Sequence, residues 1–192
     1  TLTYVFLLAG VVAMAVPFLW MVSTSLKAPD EVKTFPPQWI PEVWRWDNYV
    51  TAWTSAPFNW YFFNSFFIAI VTTFLELITA SMAAFAFAKM EFFGKRVLFF
   101  ALLGTLMIPG EMLLIPNYIT ITRLGWMDTY YALIVPWIVS VFGIFLLRQF
   151  FLSLPDELWD AAQLDGCSRF RFLWRILIPL SKPGLLTVGL FK

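Results

Sequence analysis

Histidine is absent from this chain of 192 residues, and cysteine occurs only once, as Cys167. Without imidazole the chain has no histidine general base, histidine proton relay or histidine metal ligand. A single cysteine forms neither an internal disulfide nor a cysteine zinc cluster. None of the nine glycines lies in a GxxxxGK phosphate loop or a GxGxxG turn. If a nucleotide matters to this protein, we expect another chain to bind it.

Charge is also scarce. Charged residues make up 13% of the chain and the net charge is +1, so no long-range field recruits nucleic acid. Hydrophobic residues make up 60%, with a mean hydropathy of +0.77, whereas a soluble domain is about 45–50% apolar and about 25% charged. A soluble fold would expose larger apolar patches than water tolerates. The composition therefore predicts a membrane protein.

Four stretches reach the length of about 20 apolar residues that a helix needs to cross a bilayer. A fifth apolar run follows near the end of the chain, and we expect the chain to be a fragment without its N-terminal tail and last span or spans. A signal peptide is the alternative for the first stretch, but its 25 residues exceed the usual apolar region of about 7–15. The four stretches are residues 2–26, 61–88, 97–122 and 130–147, the last extendable to 152, and the fifth is 183–192.

Lysine and arginine counts predict the orientation. The loops 27–60 and 123–129 hold four of these residues, whereas 89–96 and 148–182 hold eight, so the second side is predicted to be cytoplasmic. We therefore divide the chain into the spans within 1–152, a cytoplasmic loop at 153–182 and a fifth span from 183. The loop 27–60 carries five tryptophans, which favours anchoring at the outer membrane surface over gripping a substrate.

Polar and helix-breaking residues inside the spans are candidates for a translocation pathway. They are Glu76, Pro109, Gly110, Glu111 and Asn117. Proline removes a helical N–H, so we expect a kink or an unwound segment in the third span. Two alternatives stay open: a static kink packed by neighbours, and a structural polar clamp at Glu76. Ala80, Ala84 and Ala88 are spaced for close helix packing.

The cytoplasmic loop has its own helix signals. Ser153 and Asp156 resemble a capping box, and Gly166 suits a left-handed helix end, so a helix is predicted over residues 154–164. Ser168 is predicted to cap a second helix. Leu158, Ala161, Ala162 and Asp165 are expected to share one face, whose alanines would let the helix enter a groove on a partner. An ordinary amphipathic connector is the alternative.

The loop resembles the signature motif of the membrane subunits of binding-protein-dependent ABC importers, which runs EAA, three residues, G, nine residues, I, one residue, LP. Here Asp160-Ala161-Ala162, Gly166, Ile176 and Ile178-Pro179 fit both spacings without a gap. Asp160 stands for the family's Glu, and Ile178 for its Leu. The segments 21–27, 107–111 and 142–151 are similar to the maltose-type carbohydrate permeases, in particular the MalG-like subunit.

The resemblance implies an all-α, polytopic transmembrane bundle with six spans, of which four and the start of a fifth lie here. It also implies two ATPase subunits that bind ATP and Mg²⁺, a second permease subunit and an external solute-binding protein. No cofactor would bind to this chain itself. The location would be the plasma (inner) membrane of a bacterium or archaeon. The ATPase-coupling residues would be Asp156, Glu157, Asp160, Ala161, Ala162, Asp165 and Gly166.

Two further hypotheses compete with this one. Glu76 and Glu111 would suit an ion-coupled secondary transporter that needs no ATPase. An intramembrane enzyme is the third hypothesis, but the chain has no histidine and no evident carboxylate pair within the membrane. We therefore predict neither catalytic residues nor metal ligands.

Overall fold

The computed structural model describes residues 2–192, with side chains from residue 3, and this part of the chain contains helices and no strand. The chain forms two compact units, of which the first ends at Phe62 and the second begins at Phe63. The first contains α1 (Leu2–Ser25), α2 (Pro29–Val32), α3 (Asp47–Thr54) and the beginning of α4 (Phe58–Lys89). The second contains the rest of α4 and all later helices. The prediction of an all-α fold is confirmed.

The helices that follow α4 are all shorter than α4. They are α5 (Lys95–Thr105), a 3₁₀ turn (Gly110–Leu113), α6 (Leu114–Arg123), α7 (Tyr130–Ile134), a second 3₁₀ turn (Val135–Trp137), α8 (Val141–Ser153), α9 (Glu157–Leu164), α10 (Arg169–Phe172), a π-helical turn (Leu173–Leu177), α11 (Ile178–Leu180) and α12 (Lys182–Leu190).

Two of the helices in the described residues, α1 and α4, are long and apolar enough to cross a membrane alone. Two bent pairs, α5 with α6 and α7 with α8, raise the number to four if each pair is one span. These elements coincide with the four apolar stretches of the sequence. The side chains of α1 are mostly exposed, as expected for an apolar helix that faces lipid.

The third span is broken where the sequence predicts it. α5 ends at Thr105, the chain resumes as a 3₁₀ turn at Gly110, and the two halves meet at 90°. Pro109 adopts an extended ψ of 134°, which a helix interior does not accommodate. The fourth span is also broken, by 42°, between Trp137 and Val141. This second break was not predicted from the sequence, although Pro136 marks it.

Side-chain contacts tie the loop of the first unit to the end of α1. Asn48 donates through Nδ2 to the carbonyl oxygens of Ser25 and Lys27, at 3.0 and 2.9 Å. The Lys27 ammonium lies 4.1 Å from the ring centre of Trp20, which also makes an edge-to-face contact with Trp39. The loop is therefore an ordered part of this unit.

Small residues bring the helices of the second unit close together. Ala80 and Ala84 of α4 are fully buried. A methyl group on Gly143 of α8 would lie 3.4 Å from the Cβ atom of Ala80 and 3.2 Å from a methyl of Val188 in α12. The predicted alanine packing surface is thus confirmed. α12 packs as closely on α8, since a methyl group on Gly184 would lie 2.6 Å from Phe150 Cδ2.

Candidate coupling loop and membrane cavities

The helix of the cytoplasmic loop begins later than the predicted residues 154–164, because α9 spans Glu157–Leu164. Ser153 is still in α8, where its hydroxyl donates to the carbonyl of Phe150 at 2.7 Å, so it forms no capping box. Leu154 is extended, with φ −84° and ψ 134°, as expected for a residue that precedes proline.

The predicted end of this helix is confirmed. Gly166 has a φ of +69°, in the left-handed region that glycine enters without strain. The N–H of Gly166 donates to Gln163 at 2.9 Å, and the N–H of Cys167 donates to Ala162 at 2.8 Å. Ser168 then caps α10, because its hydroxyl oxygen accepts from the N–H of Arg171 at 3.3 Å. Local residues, Gly166 and Ser168, therefore determine where α9 ends and α10 begins.

The exposed face of α9 differs from the predicted one. Ala162 is buried and Leu158 is half-buried, both packed in the core of the second unit. Trp159 packs edge-to-face on Phe172, with ring centres 4.9 Å apart. Exposed residues at intervals of three and four form one face of the helix. Within this face, Leu164 is 90% exposed. This docking face consists of Glu157, Asp160, Ala161, Leu164 and Asp165.

An ion pair within the chain engages Asp156. The Nζ of Lys89, at the end of α4, lies 2.6 Å from Asp156 Oδ1 and donates to the carbonyl of Leu154 at 2.9 Å. The Lys89 side chain is only 7% exposed. Asp156 therefore holds the start of α9 against α4, whereas the other acidic residues of the helix remain available. The sequence did not predict this role of Lys89.

A second ion pair lies at the middle of α4. Glu76 is 4% exposed, and its Oε2 lies 2.9 Å from Nζ of Lys192, although the two atoms are not aligned as a hydrogen bond. Lys192 donates to the carbonyl of Trp137 at 3.1 Å. Glu76 thus forms an ion pair with a residue two positions beyond the end of α12, a contact of the kind that a polar clamp between helices requires.

Two cavities meet at Trp137. One, of about 270 Å³, is lined by Gly110, Asn117 and Trp137 together with apolar side chains. The other, of about 390 Å³, is lined by Thr72, Thr73, Trp137 and Lys192 and apolar neighbours. Pro109 and Glu111 are exposed in the adjacent turn, and Glu76 is paired with Lys192. None of these three residues lines either cavity. Of the predicted pathway residues, Gly110 and Asn117 line a common cavity.

Comparison with known proteins decides the family. A model of the family described as "Binding-protein-dependent transport system inner membrane component" matches residues 1–191. The chain belongs to this family. These binding-protein-dependent membrane components are transport proteins, and the two spanning helices agree with a membrane location.

Several relatives of this binding-protein-dependent component are permeases by name. The chain is 37% identical over 193 residues to the "Probable ABC transporter permease protein YurM" of Bacillus subtilis. This alignment includes 99% of this chain and 63% of the relative. The chain is 30% identical to the "Diacetylchitobiose uptake system permease protein NgcG" of Streptomyces coelicolor, over 100% of this chain and 64% of that one. The chain thus spans less than two thirds of either relative.

Two further similarities concern a phosphate ester transporter and a solved structure. The chain is 35% identical to the "sn-glycerol-3-phosphate transport system permease protein UgpE" of Yersinia enterocolitica, over 95% of this chain and 67% of the relative. A solved bacterial ABC transporter "involved in the import of the acidic polysaccharide alginate" has a chain that matches 99% of this one and 67% of its own length, with a TM-score of 0.88 and 24% identity. This match shows the fold.

Proposed function

We propose that this chain is a permease subunit of an ATP-driven ABC importer. It would form half of the translocation pathway for a sugar or sugar-like solute and couple to a separate ATPase through α9. The observation that carries the proposal is the docking face, which presents three carboxylates around Ala161 and Leu164 on a helix whose Leu158, Trp159 and Ala162 pack into its own unit. Exposed anchors surrounded by charges are typical of a helix that enters a groove.

The proposed assembly contains two ATPase subunits, a second permease subunit and an external solute-binding protein. The ATPase subunits bind ATP and Mg²⁺, and this chain binds no cofactor and catalyses no bond chemistry. Relatives named for diacetylchitobiose and glycerol phosphate uptake support a sugar-like solute. The assembly lies in the plasma membrane of a bacterium or archaeon, with residues 153–182 on the cytoplasmic side.

Coupling requires a firm connection between α9 and the spans. Lys89 bonds the start of α9 to α4, and Ala162 and Trp159 pack against the same core as Ala80 and Ala84. Closure of the ATPase pair on ATP pulls α9, and this packing transmits the displacement to α4 and α8. Movement at this end then tilts the spans from inward-open to outward-open.

The cavities at Trp137 are the proposed pathway region. They lie beside the broken backbone at Pro109 and Gly110, where freed carbonyl groups offer acceptors to a polar solute. Asn117 and Thr72 add side-chain hydrogen-bonding groups. The exposed carboxylate of Glu111 and the clamp at Glu76 border this region. An ion-coupled transporter is less well supported, because Lys192 already neutralises Glu76.

The energy source of transport tests the proposal. The full-length complex, reconstituted in vesicles with its solute-binding protein, is expected to take up solute only with ATP on the ATPase side. A protonophore or a sodium ionophore should leave this uptake unchanged. Uptake in ATP-depleted vesicles that carry a proton or sodium gradient would instead support the ion-coupled alternative.

A further inference from the structure

A third cavity lies at the end of the second unit that carries the coupling loop. It has a volume of about 550 Å³ and lies between the end of α4, the start of α5, and α8. The contact of Lys89 with Asp156 places the end of α4 beside the loop. The lining includes three cations, four phenylalanines and one carboxylate, namely Lys95, Arg96, Arg148, Phe87, Phe92, Phe99, Phe100 and Glu91.

Two of the cations in this cavity lack a carboxylate partner. Lys95 pairs with Glu91 at 2.9 Å. Arg148 instead donates through Nε to the carbonyl of Phe87 at 3.1 Å, and its guanidinium carbon lies 4.2 Å from the ring centre of Phe99. Arg96 lies 5.9 Å from the ring of Phe100. Among the side chains that the structure describes, neither arginine is within ion-pair distance of an acidic group, so two positive charges remain uncompensated.

The rim of the cavity is apolar and exposed. Val97 is 73% exposed and Phe100 is 59% exposed. These residues stand at the boundary between a spanning helix and its polar end, where a bilayer has its headgroups. A ligand that satisfies both parts of the site needs an anionic group for the arginines and hydrocarbon for the rim. A basic pocket at the cytoplasmic end of spanning helices suits an anionic lipid headgroup.

We propose that this cavity binds an anionic phospholipid of the cytoplasmic leaflet. Its phosphate lies between Arg96 and Arg148, and its acyl chains run along Val97 and Phe100. Arg148 belongs to α8, which leads directly into the coupling loop after Ser153. A lipid at this position therefore joins α5 to α8 at the base of the loop.

Lipid retention by the full-length complex tests this site. The complex is released from nanodiscs of phosphatidylcholine and phosphatidylglycerol, and the lipids that it retains are measured by native mass spectrometry. We expect phosphatidylglycerol to be enriched over phosphatidylcholine. Arg96→Gln should lower the enrichment about fivefold, the effect of one cation near an anionic lipid. Arg148→Gln should lower it similarly, and Arg175→Gln, on the same side but outside the cavity, should not.

The control variants decide the outcome. The Arg96 side chain is exposed, so its replacement leaves the fold intact even if Arg148→Gln does not fold. Equal retention of the two lipids, or an equal loss in Arg175→Gln, would overturn the proposal. Inorganic phosphate should not compete, because it lacks acyl chains. Displacement of the lipid by inorganic phosphate alone would assign the cavity to a soluble anion instead.

Discussion

Reversal of the three carboxylates on the docking face, in the variant Glu157→Lys/Asp160→Lys/Asp165→Lys, is expected to abolish co-purification of the ATPase with the full-length permease. These side chains are exposed, so their replacement leaves the core of the second unit unchanged. The three carboxylates imply basic residues on the partner's groove, and like charges placed opposite those residues cost several kcal/mol. We expect the affinity for the ATPase to fall by at least about 100-fold, since each about 1.4 kcal/mol is a factor of ten.

Two controls separate docking from general damage. Glu91 is an exposed acidic residue on the same side but outside α9, and Glu91→Lys should retain the ATPase. Asp156→Asn should not reproduce the loss of the ATPase that the triple variant shows, because Asp156 is bonded to Lys89 rather than free for a partner. If the triple variant still recovers a stoichiometric ATPase and supports uptake, the docking role of α9 is wrong.

Removal of one partner of the buried ion pair between Glu76 and Lys192 is expected to destabilise the spans strongly. Glu76→Gln leaves the Lys192 ammonium uncompensated among apolar helices. Breaking a buried pair costs about 3–5 kcal/mol. Lys192 keeps a quarter of its side chain exposed, so we expect a loss of about 3 kcal/mol, at the lower end of that range.

A double-mutant cycle on the full-length permease measures this pair. The free energy of unfolding is compared for Glu76→Gln, Lys192→Met and the double variant, which should recover most of the loss because no lone charge remains. Glu111→Gln is the matched control, since Glu111 is exposed, and it should change stability by less than about 0.5 kcal/mol. Additive single effects would show that the two groups do not act as a clamp.

Local sequence signals were sufficient to predict the spans, the break at Pro109 and the end of α9. Each depends on a short pattern with a direct physical cause: apolar length, the missing N–H of proline, and the left-handed backbone of Gly166. The alanine packing surface of α4 was predictable for the same reason, because four-residue spacing places small side chains on one face.

The long-range contacts of the candidate site were not predictable in this way. Lys89 with Asp156, and Glu76 with Lys192, join residues far apart in sequence, and no local pattern specifies such partners. The exposed face of α9 was also mispredicted. Ala161 and Ala162 are the same residue type, so the sequence alone does not distinguish them. Packing against Phe172 and its neighbours buries Ala162 and leaves Ala161 exposed. Trp137 was missed because its role depends on two cavities that form after folding.

The adjacent alanines of α9 provide the most direct measurement of the central claim, which is that the docking face contacts an ATPase. Cys167 is replaced by serine, and a single cysteine is introduced at Ala161, which is exposed, or at Ala162, which is 5% exposed. A thiol-directed photocrosslinker is then applied to membranes that contain the full-length complex. Ala161→Cys is predicted to give one product, identified by mass spectrometry as an ATP-binding subunit, and Ala162→Cys little or none. Absence of that product from Ala161→Cys, in membranes that still support ATP-driven uptake, would contradict the account.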